Sequence, residues 1–325
     1  MFKKGLAGLV LLVSISSGCS ITDYRMTLKG NEYMSEGDYP RAESVFQEEV
    51  RKAPDSALAH YYLGRFQLAQ DKAAEALPQF NRAVAIDSKN PDYRFWLGMN
   101  YGEMGDSVQE RRNYEHVLRL DKNHAQAQLY LGHLQLREGE LTQALNSYDA
   151  VLKQVPTNGA ALYNRALILD LQGQRTEAKK AWLEYLQWFP AGRQALFAAD
   201  HLNALGDFSY ENHYFGLRTV TLAEIKLHAQ TEKTSISAYP SLRLVGAILT
   251  NMPKGNLQIV VHRKDDVKLA RKEALAIKET LHEFYPTLGK DRIQASWFGT
   301  EEQFEKSGKK LSRNQSVRLF LTDWQ

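Results

Sequence analysis

The 325-residue sequence predicts an α-solenoid of five helical hairpins followed by a small α/β domain. Three observations lead to this prediction. Residues 23–192 repeat with a period of 34 residues and need no insertion, specific residue types recur at fixed places in each repeat, and the period stops after Gly206. A hairpin of this length cannot bury its own apolar face, so neighbouring hairpins stack into one array.

Small residues in each repeat predict where its two helices approach and where the chain turns. The repeats are residues 23–56, 57–90, 91–124, 125–158 and 159–192. The eighth residue of each repeat is small, as close helix packing requires: Gly30, Gly64, Gly98, Gly132 and Ala166. The fifteenth tolerates the left-handed backbone of a tight turn: Gly37, Asp71, Gly105, Gly139 and Gly173.

The second helix of each repeat carries an alanine and, four residues later, an aromatic residue on the inward face. The twentieth residues are Ala42, Ala76, Glu110, Ala144 and Ala178, among which Glu110 is the exception. The aromatic residues are Phe46, Phe80, Tyr114, Tyr148 and Trp182. Residues 193–206 predict a helix that caps the last apolar edge, so the repeat domain extends over residues 23–206.

This pattern resembles the tetratricopeptide repeat family, and the resemblance implies a ligand groove lined by the first helices of the repeats. At the fifth and ninth positions it implies these groove residues: Thr27, Asn31, Tyr61, Arg65, Phe95, Met99, Leu129, His133, Tyr163 and Leu167. Such an aromatic and apolar groove suits an extended or helical peptide segment. The alternative is that some of these side chains pack against the neighbouring repeat. The Lys and Asn clamp with which some family members bind carboxylates is absent.

The amino-terminal segment predicts an export signal. Lys3 and Lys4 precede an apolar run, residues 5–15, that is too short to span a bilayer. Small residues then precede Cys19, and this arrangement resembles the lipobox of bacterial lipoproteins. The resemblance implies a signal peptide over residues 1–18, attachment of diacylglycerol and palmitate at Cys19, and a tether over residues 19–22. Alternatively, Cys19 is incidental to an ordinary cleavage site.

Residues 207–325 predict the small α/β domain, with the element order β, α, β, α, β, short helix, β. Alternation predicts a strand over residues 217–227 and another in NLQIVVHR, residues 256–263. Helices are predicted over residues 237–253 and from Val267 to about Tyr285. DRIQASWFG and SVRLFLTDW predict the last two strands.

The order of these segments resembles the OmpA-like domain family, which binds the peptidoglycan stem peptide. The strand ending in His262, the apolar helix after it, RIQASWFGTEE and SRNQSVRLFL carry the resemblance. It implies an Asp and an Arg that contact the ligand. Asp265 or Asp266 stands for the Asp, but Glu273 occupies the place of the Arg, with Arg271 nearby. We therefore expect a divergent domain used for packing or for another partner; contact with peptidoglycan through Asp265, Asp266 and Arg271 is the alternative.

The sequence predicts a binding protein and no enzyme. It lacks the motifs of metal, nucleotide or nucleophilic sites, so no cofactor and no metal are expected. Outside Lys3 and Lys4, 39 Lys and Arg face 38 Asp and Glu, which argues against a nucleic-acid partner. Ser20 directly after Cys19 resembles the signal that sorts lipoproteins to the outer membrane. The resemblance implies that the mature protein faces the periplasm.

The leading hypothesis is an outer-membrane lipoprotein that scaffolds an envelope machine of the pilus or secretion type, with a partner protein in the groove. It resembles the accessory lipoproteins of type IV and tight-adherence pilus systems. The alternative hypothesis is a peptidoglycan tether acting through the carboxyl-terminal domain.

Overall fold

The computed structural model describes residues 21–225, 238–252, 254–306 and 309–323. The predicted signal peptide and Cys19 lie outside the described residues. The chain forms two compact units, unit 1 and unit 2, which divide between Ser147 and Tyr148. None of the helices in the described ranges is both long and apolar enough to cross a membrane.

Paired helices follow the predicted repeats from the first described residue onward. Unit 1 contains α1 Ile21–Glu36, α2 Tyr39–Lys52, α3 Ala57–Leu68, α4 Ala73–Ile86, α5 Pro91–Glu103, α6 Ser107–Leu120 and α7 Ala125–Arg137. The division falls within α8 Leu141–Gln154, and unit 2 begins its complete helices with α9 Gly159–Leu171, α10 Arg175–Trp188 and α11 Arg193–Ala204. The predicted hairpins and the helix after them are confirmed.

Side-chain caps mark where several of these helices begin. Ser56, Asn90 and Asp106 accept a hydrogen bond from a backbone N–H two or three residues later. This bond satisfies one of the donors that a helix start leaves unpaired. Pro91 then occupies the first position of α5, where a missing N–H costs nothing.

The predicted left-handed turns are confirmed at the fifteenth position of every repeat. The φ angles are 75° at Gly37, 60° at Asp71, 77° at Gly105, 79° at Gly139 and 70° at Gly173. Asp71 is the one residue of this set that has a Cβ, and Asp adopts this conformation more readily than most residues.

Close packing explains the small eighth residues. A Cβ added at Gly64 would lie 3.0 Å from the ring of Phe80, and one at Gly98 would lie 2.8 Å from the ring of Tyr114. Both rings are fully buried, as are Phe46, Tyr148 and Trp182 at the same repeat position. The inward orientation of this aromatic set is therefore confirmed.

Glu110, the exception among the twentieth residues, is buried and compensated in two ways. Its Oε2 accepts a 2.6 Å hydrogen bond from Arg137 Nη2. Space for the longer side chain comes from Gly102, because a Cβ there would lie 2.9 Å from the Glu110 carboxyl carbon. A buried carboxylate needs such a partner.

Unit 2 also contains the α/β elements, which surround one apolar core. They are β1 Tyr210–Phe215, β2 Arg218–Ala223, α12 Tyr239–Thr250, β3 Asn256–Arg263, α13 Val267–Phe284, a 3-10 turn at Lys290–Arg292, β4 Ile293–Phe298, β5 Glu302–Lys306, β6 Lys309–Arg313 and β7 Gln315–Thr322. β3 is the central strand of a mixed sheet, parallel to β4 and antiparallel to β7. β1 pairs with β2, and β5 with β6, in antiparallel hairpins.

The short helix predicted between the last two strands is wrong, because the hairpin of β5 and β6 occupies that segment. Side chains from elsewhere in unit 2 stabilise the hairpin. The Arg313 guanidinium carbon lies 4.7 Å from the Phe208 ring centroid and 4.8 Å from that of Phe304, and Nη2 donates to Glu302 Oε2 at 2.8 Å. β1 likewise was not among the predicted strands, the first of which was expected over residues 217–227.

The repeated turns provide a stability test. At Gly105 an added Cβ would have no neighbour within 4 Å, so Gly105→Ala changes only backbone strain. We expect a loss of about 1–2 kcal/mol in the free energy of unfolding, measured by urea denaturation followed by circular dichroism. Asp71→Gly, at the same repeat position, is the control and causes no loss. Equal losses in both variants would contradict the strain argument.

Candidate protein-binding surface

Tyr61, Arg65 and Trp96 form a half-buried cluster on the first helices of unit 1. The Arg65 guanidinium carbon lies 4.3 Å from the Trp96 ring centroid and 5.5 Å from that of Tyr61. Arg65 Nη1 also donates a 3.2 Å hydrogen bond to the Tyr61 hydroxyl. Burial raises the pKa of Tyr61, so its hydroxyl remains protonated at neutral pH. The cluster combines aromatic surface with a fixed positive charge.

Arg65 keeps unused hydrogen-bonding capacity in this cluster. Its Nε is buried and makes no hydrogen bond within the described residues. An unsatisfied buried donor is uncommon and costly. The guanidinium is thus held by stacking on Trp96 and by one bond to Tyr61, and part of its donor set has no acceptor.

Phe95 does not present its ring to a partner, which corrects the sequence prediction. Its side chain is 3% exposed, and its ring lies 5.8 Å from Tyr114, 5.5 Å from Tyr130 and 5.4 Å from His124. Here the alternative of packing against the neighbouring repeat applies. Aromatic residues of the third and fourth repeats surround the Phe95 ring and bury it. Tyr61, at the same position of the second repeat, stays half-buried.

Of the other predicted groove residues of unit 1, Asn31 is exposed, and Thr27, Met99, Leu129 and His133 are half-buried. Met99 Sδ accepts a 3.2 Å hydrogen bond from the Tyr114 hydroxyl, so this side chain is held in place. Leu129 is partly exposed on α7. The His133 ring lies 5.7 Å from Tyr130, and burial, followed by the charge of Arg137, lowers its pKa. His133 is therefore neutral at neutral pH and adds no charge to this surface.

Among the predicted groove residues of unit 2, Leu167 is half-buried on α9, and Tyr163 lies one turn earlier on the same helix. Its ring is 5.3 Å from Trp182 and 5.4 Å from Tyr185, both on α10, and it is half-buried. Burial raises its pKa. Its ring thus contributes to the packing of α9 against α10 as well as to the surface.

Sequence reasoning missed Trp96 and Tyr93. Trp96 lies beside the predicted fifth position and provides the surface for Arg65. Tyr93 occupies the third position of its repeat, where Ala59, Ala127 and Ala161 are fully buried in other repeats. The sequence did contain a signal for Tyr93, namely a tyrosine at a position where other repeats have alanine. A residue that breaks the packing pattern of its repeat is a candidate for a functional role.

The residues predicted to contact peptidoglycan lie around the start of α13. Asp265 is exposed with φ of 63°, and Asp266 caps α13 by accepting the Leu269 N–H at 2.9 Å. The exposed Arg271 packs over Trp297 at 5.5 Å. Asp266 thus has a structural role in this arrangement.

Glu273, at the place where the resemblance implies an Arg, is buried and forms an ion pair with Arg263. Arg263 Nη2 donates to Oε1 at 2.7 Å, and Nε lies 2.6 Å from Oε2. Both side chains are less than a tenth exposed. The pair neutralises itself inside unit 2, so neither group is free to bind a ligand.

Comparison with known proteins identifies the helical part. Residues 27–91 and 131–195 match the family model described as tetratricopeptide repeat. These two segments carry tetratricopeptide repeats. Among curated proteins, it is 25% identical to superkiller complex protein 3 of Mus musculus over 200 residues, which cover 56% of the chain and 13% of that protein. It is 33% identical to DnaJ homolog subfamily C member 3 of Bos taurus over 126 residues, 38% of the chain and 25% of that protein.

These matches thus span a quarter or less of the curated relatives. Solved structures with a similar fold include PilW, described as a widely conserved type IV pilus biogenesis factor, with a TM-score of 0.51 and 16% identity. That likeness covers 72% of this chain and 96% of PilW. PilF of Pseudomonas aeruginosa has a TM-score of 0.50 and 17% identity, covering 57% of this chain and 88% of PilF. At these identities the likeness concerns the fold.

The different environments of Phe95 and Tyr61 predict different costs of truncation. Phe95→Ala removes a fully packed ring, and we expect it to lower the free energy of unfolding by about 3–5 kcal/mol. Tyr61→Ala, at the same repeat position, is expected to cost less than half as much. Denaturant titration of both variants measures the difference. Equal costs would show that Tyr61 is as much a core residue as Phe95.

The Arg263–Glu273 pair predicts a second stability difference. Glu273→Gln leaves the buried guanidinium without its counter-charge and is expected to cost about 3–5 kcal/mol. Glu279→Gln, on the exposed part of the same helix, is the control and changes stability by less than about 0.5 kcal/mol. Hydrogen exchange at β3 and α13 amides reports on this region directly. Unchanged protection in Glu273→Gln would contradict a stabilising role for the pair.

Proposed function

We propose that this protein is a scaffold that binds a segment of a partner protein on the first-helix surface of unit 1. The observation that carries the proposal is the cluster of Tyr61, Arg65 and Trp96. Aromatic residues and Arg supply most of the binding energy in protein interfaces, because they offer large contact area at a low cost in conformational entropy.

The helical scaffold supports binding more than it supports catalysis. Met99 and Leu129 extend the partly exposed apolar surface along neighbouring first helices. Met99 is held by Tyr114, and the aromatic cluster is held by stacking, so the surface is largely preformed. Preformed side chains lose little freedom on binding, which favours affinity for a peptide segment.

For the biological setting, we propose assembly of an envelope machine of the pilus or secretion type. The fold likeness to PilW and PilF supports this choice, since PilW is described as a type IV pilus biogenesis factor. The lipobox-like segment ending at Cys19 supports an outer-membrane lipid anchor that faces the periplasm. We rank the peptidoglycan tether second, because Glu273 is already paired with Arg263.

Site-specific photo-crosslinking tests the proposed surface. A photoreactive phenylalanine analogue replaces Tyr61 or Met99 in cells that make the protein, and adducts are identified by mass spectrometry. We expect both positions to give adducts with the same envelope protein. The control position is Val108, which is 72% exposed on the second helix α6 and is expected to give no such adduct.

Two outcomes would contradict the proposal. One is the same adduct pattern from position 108 as from positions 61 and 99. The other is an intact partner complex in which neither position 61 nor position 99 cross-links. A third outcome would instead favour the tether. The full chain would bind to purified sacculi, and joint Asp265→Asn and Asp266→Asn substitution would abolish this binding.

A further inference from the structure

A cavity of about 550 Å³ opens in unit 1 where the amino-terminal ends of α1, α3 and α5 come together. This volume lies within the range of about 300–1,000 Å³ that ligand pockets occupy. Its walls carry the tyrosines Tyr61, Tyr62 and Tyr93. They also carry four carboxylates, Asp23, Asp55, Asp87 and Asp92. None of its lining residues, all of which the structure describes, is a Lys, an Arg or a His.

Tyr93 supplies the observation that points to a ligand. Its side chain is 8% exposed and lines the cavity, yet its hydroxyl has no hydrogen-bond partner among the described residues. The neighbouring hydroxyls are both bonded, since Tyr62 donates to Asn31 Oδ1 at 3.0 Å and Tyr61 accepts from Arg65. Of the three tyrosine hydroxyls on the cavity walls, that of Tyr93 is thus the one without a hydrogen-bond partner among the described residues.

The protonation of the walls favours a cation. Burial, followed by the charge of Asp87, raises the pKa of Tyr93, which keeps its hydroxyl protonated. The hydrogen bond with His124 lowers the pKa of Asp92, which keeps that carboxylate charged. His124 Nδ1 accepts the Ala127 N–H, and Nε2 lies 3.2 Å from Asp92 Oδ1.

Nearby positive charges only partly offset the carboxylates. Arg82 pairs with Asp55 at 2.5 Å, and the charge of Arg65 also acts on Asp92. Within the described residues, no three His, Cys, Asp or Glu side chains lie close enough to hold a metal ion. The carboxylates on the cavity walls therefore form no metal-binding group.

We infer that this cavity receives an arginine side chain of the partner segment, an inference that rests on the proposed scaffold function. A guanidinium is planar, so it stacks on tyrosine rings while its N–H groups reach carboxylates and a hydroxyl oxygen. The rings are suitably close, with 5.0 Å between the centroids of Tyr61 and Tyr93. Tyr61 already packs against one guanidinium, that of Arg65.

Fluorine NMR of the full chain labelled with 3-fluorotyrosine tests this inference. The probes are N-acetyl-arginine amide, its neutral isostere N-acetyl-citrulline amide, and N-acetyl-lysine amide. Tyr61→Phe and Tyr93→Phe assign the two resonances. We expect the arginine probe to shift both resonances saturably and to bind about tenfold more tightly than citrulline, because only the charged form pairs with the carboxylates.

A pair of matched variants isolates the charge of the cavity. Asp87 ends α4 and accepts the Lys89 N–H at 3.2 Å; Asp121 ends α6 one repeat later and accepts the Asn123 N–H at 2.9 Å. Asn preserves this acceptor at both positions. We expect Asp87→Asn to weaken arginine binding about threefold to fivefold and Asp121→Asn to leave it unchanged. Tyr93→Phe is expected to weaken binding about fivefold through loss of the hydroxyl.

Several results would overturn the inference. They are no saturable shift with the arginine probe, equal binding of citrulline, equal or tighter binding of lysine, or equal effects of Asp87→Asn and Asp121→Asn. Failure here is distinct from failure of the scaffold function. Cross-links at positions 61 and 99 without arginine preference would leave the scaffold intact and reject the cavity assignment, whereas arginine binding without specific cross-links would do the reverse.

Discussion

In unit 1, an aromatic ring on the second helix of a hairpin packs against a glycine on the first helix. This contact holds the two helices at a short distance. The rings of Phe80 and Tyr114 lie where a Cβ on Gly64 or Gly98 would collide with them. Interiors are packed so densely that one additional carbon requires a backbone shift. This contact fixes the spacing of the helices, and the spacing places Tyr61 and Arg65 next to residues of the following repeat.

The repeats that depart from their own pattern are the ones with distinctive chemistry. Glu110 replaces an alanine, and Gly102 and Arg137 compensate for it with space and charge. Tyr93 replaces another alanine, but its hydroxyl remains without a partner in the described residues and faces a cavity. The first departure is compensated within the fold, while the second places a tyrosine on the wall of the cavity that we infer receives an arginine side chain.

Unit 2 depends on buried ion pairs as well as on its apolar core. Arg263 and Glu273 form an ion pair between β3 and α13. Arg313 lies between two phenylalanine rings and bonds Glu211 and Glu302. Such pairs require good geometry to offset the desolvation of their charges. They connect segments distant in sequence, and Arg313 and Glu302 join the two strands of a hairpin that the sequence assigned to a helix.

Local periodicity was sufficient to predict the helical hairpins, their left-handed turns and the inward aromatic set, because these features depend on residues within one 34-residue unit. It also predicted most strands of unit 2, because alternation is local. The β5–β6 hairpin escaped prediction because its stabilising contacts come from Phe208 and from the strand after it.

The sequence by itself thus determined which residues form repeats and which type of residue lines their first helices. Only the tertiary structure decided which of those residues face a partner. Phe95 and Tyr61 share one repeat position, yet neighbours from another repeat bury the first and leave the second half-exposed. The physical reason is that exposure depends on what packs from outside the repeat, and the period of a sequence carries no information about that.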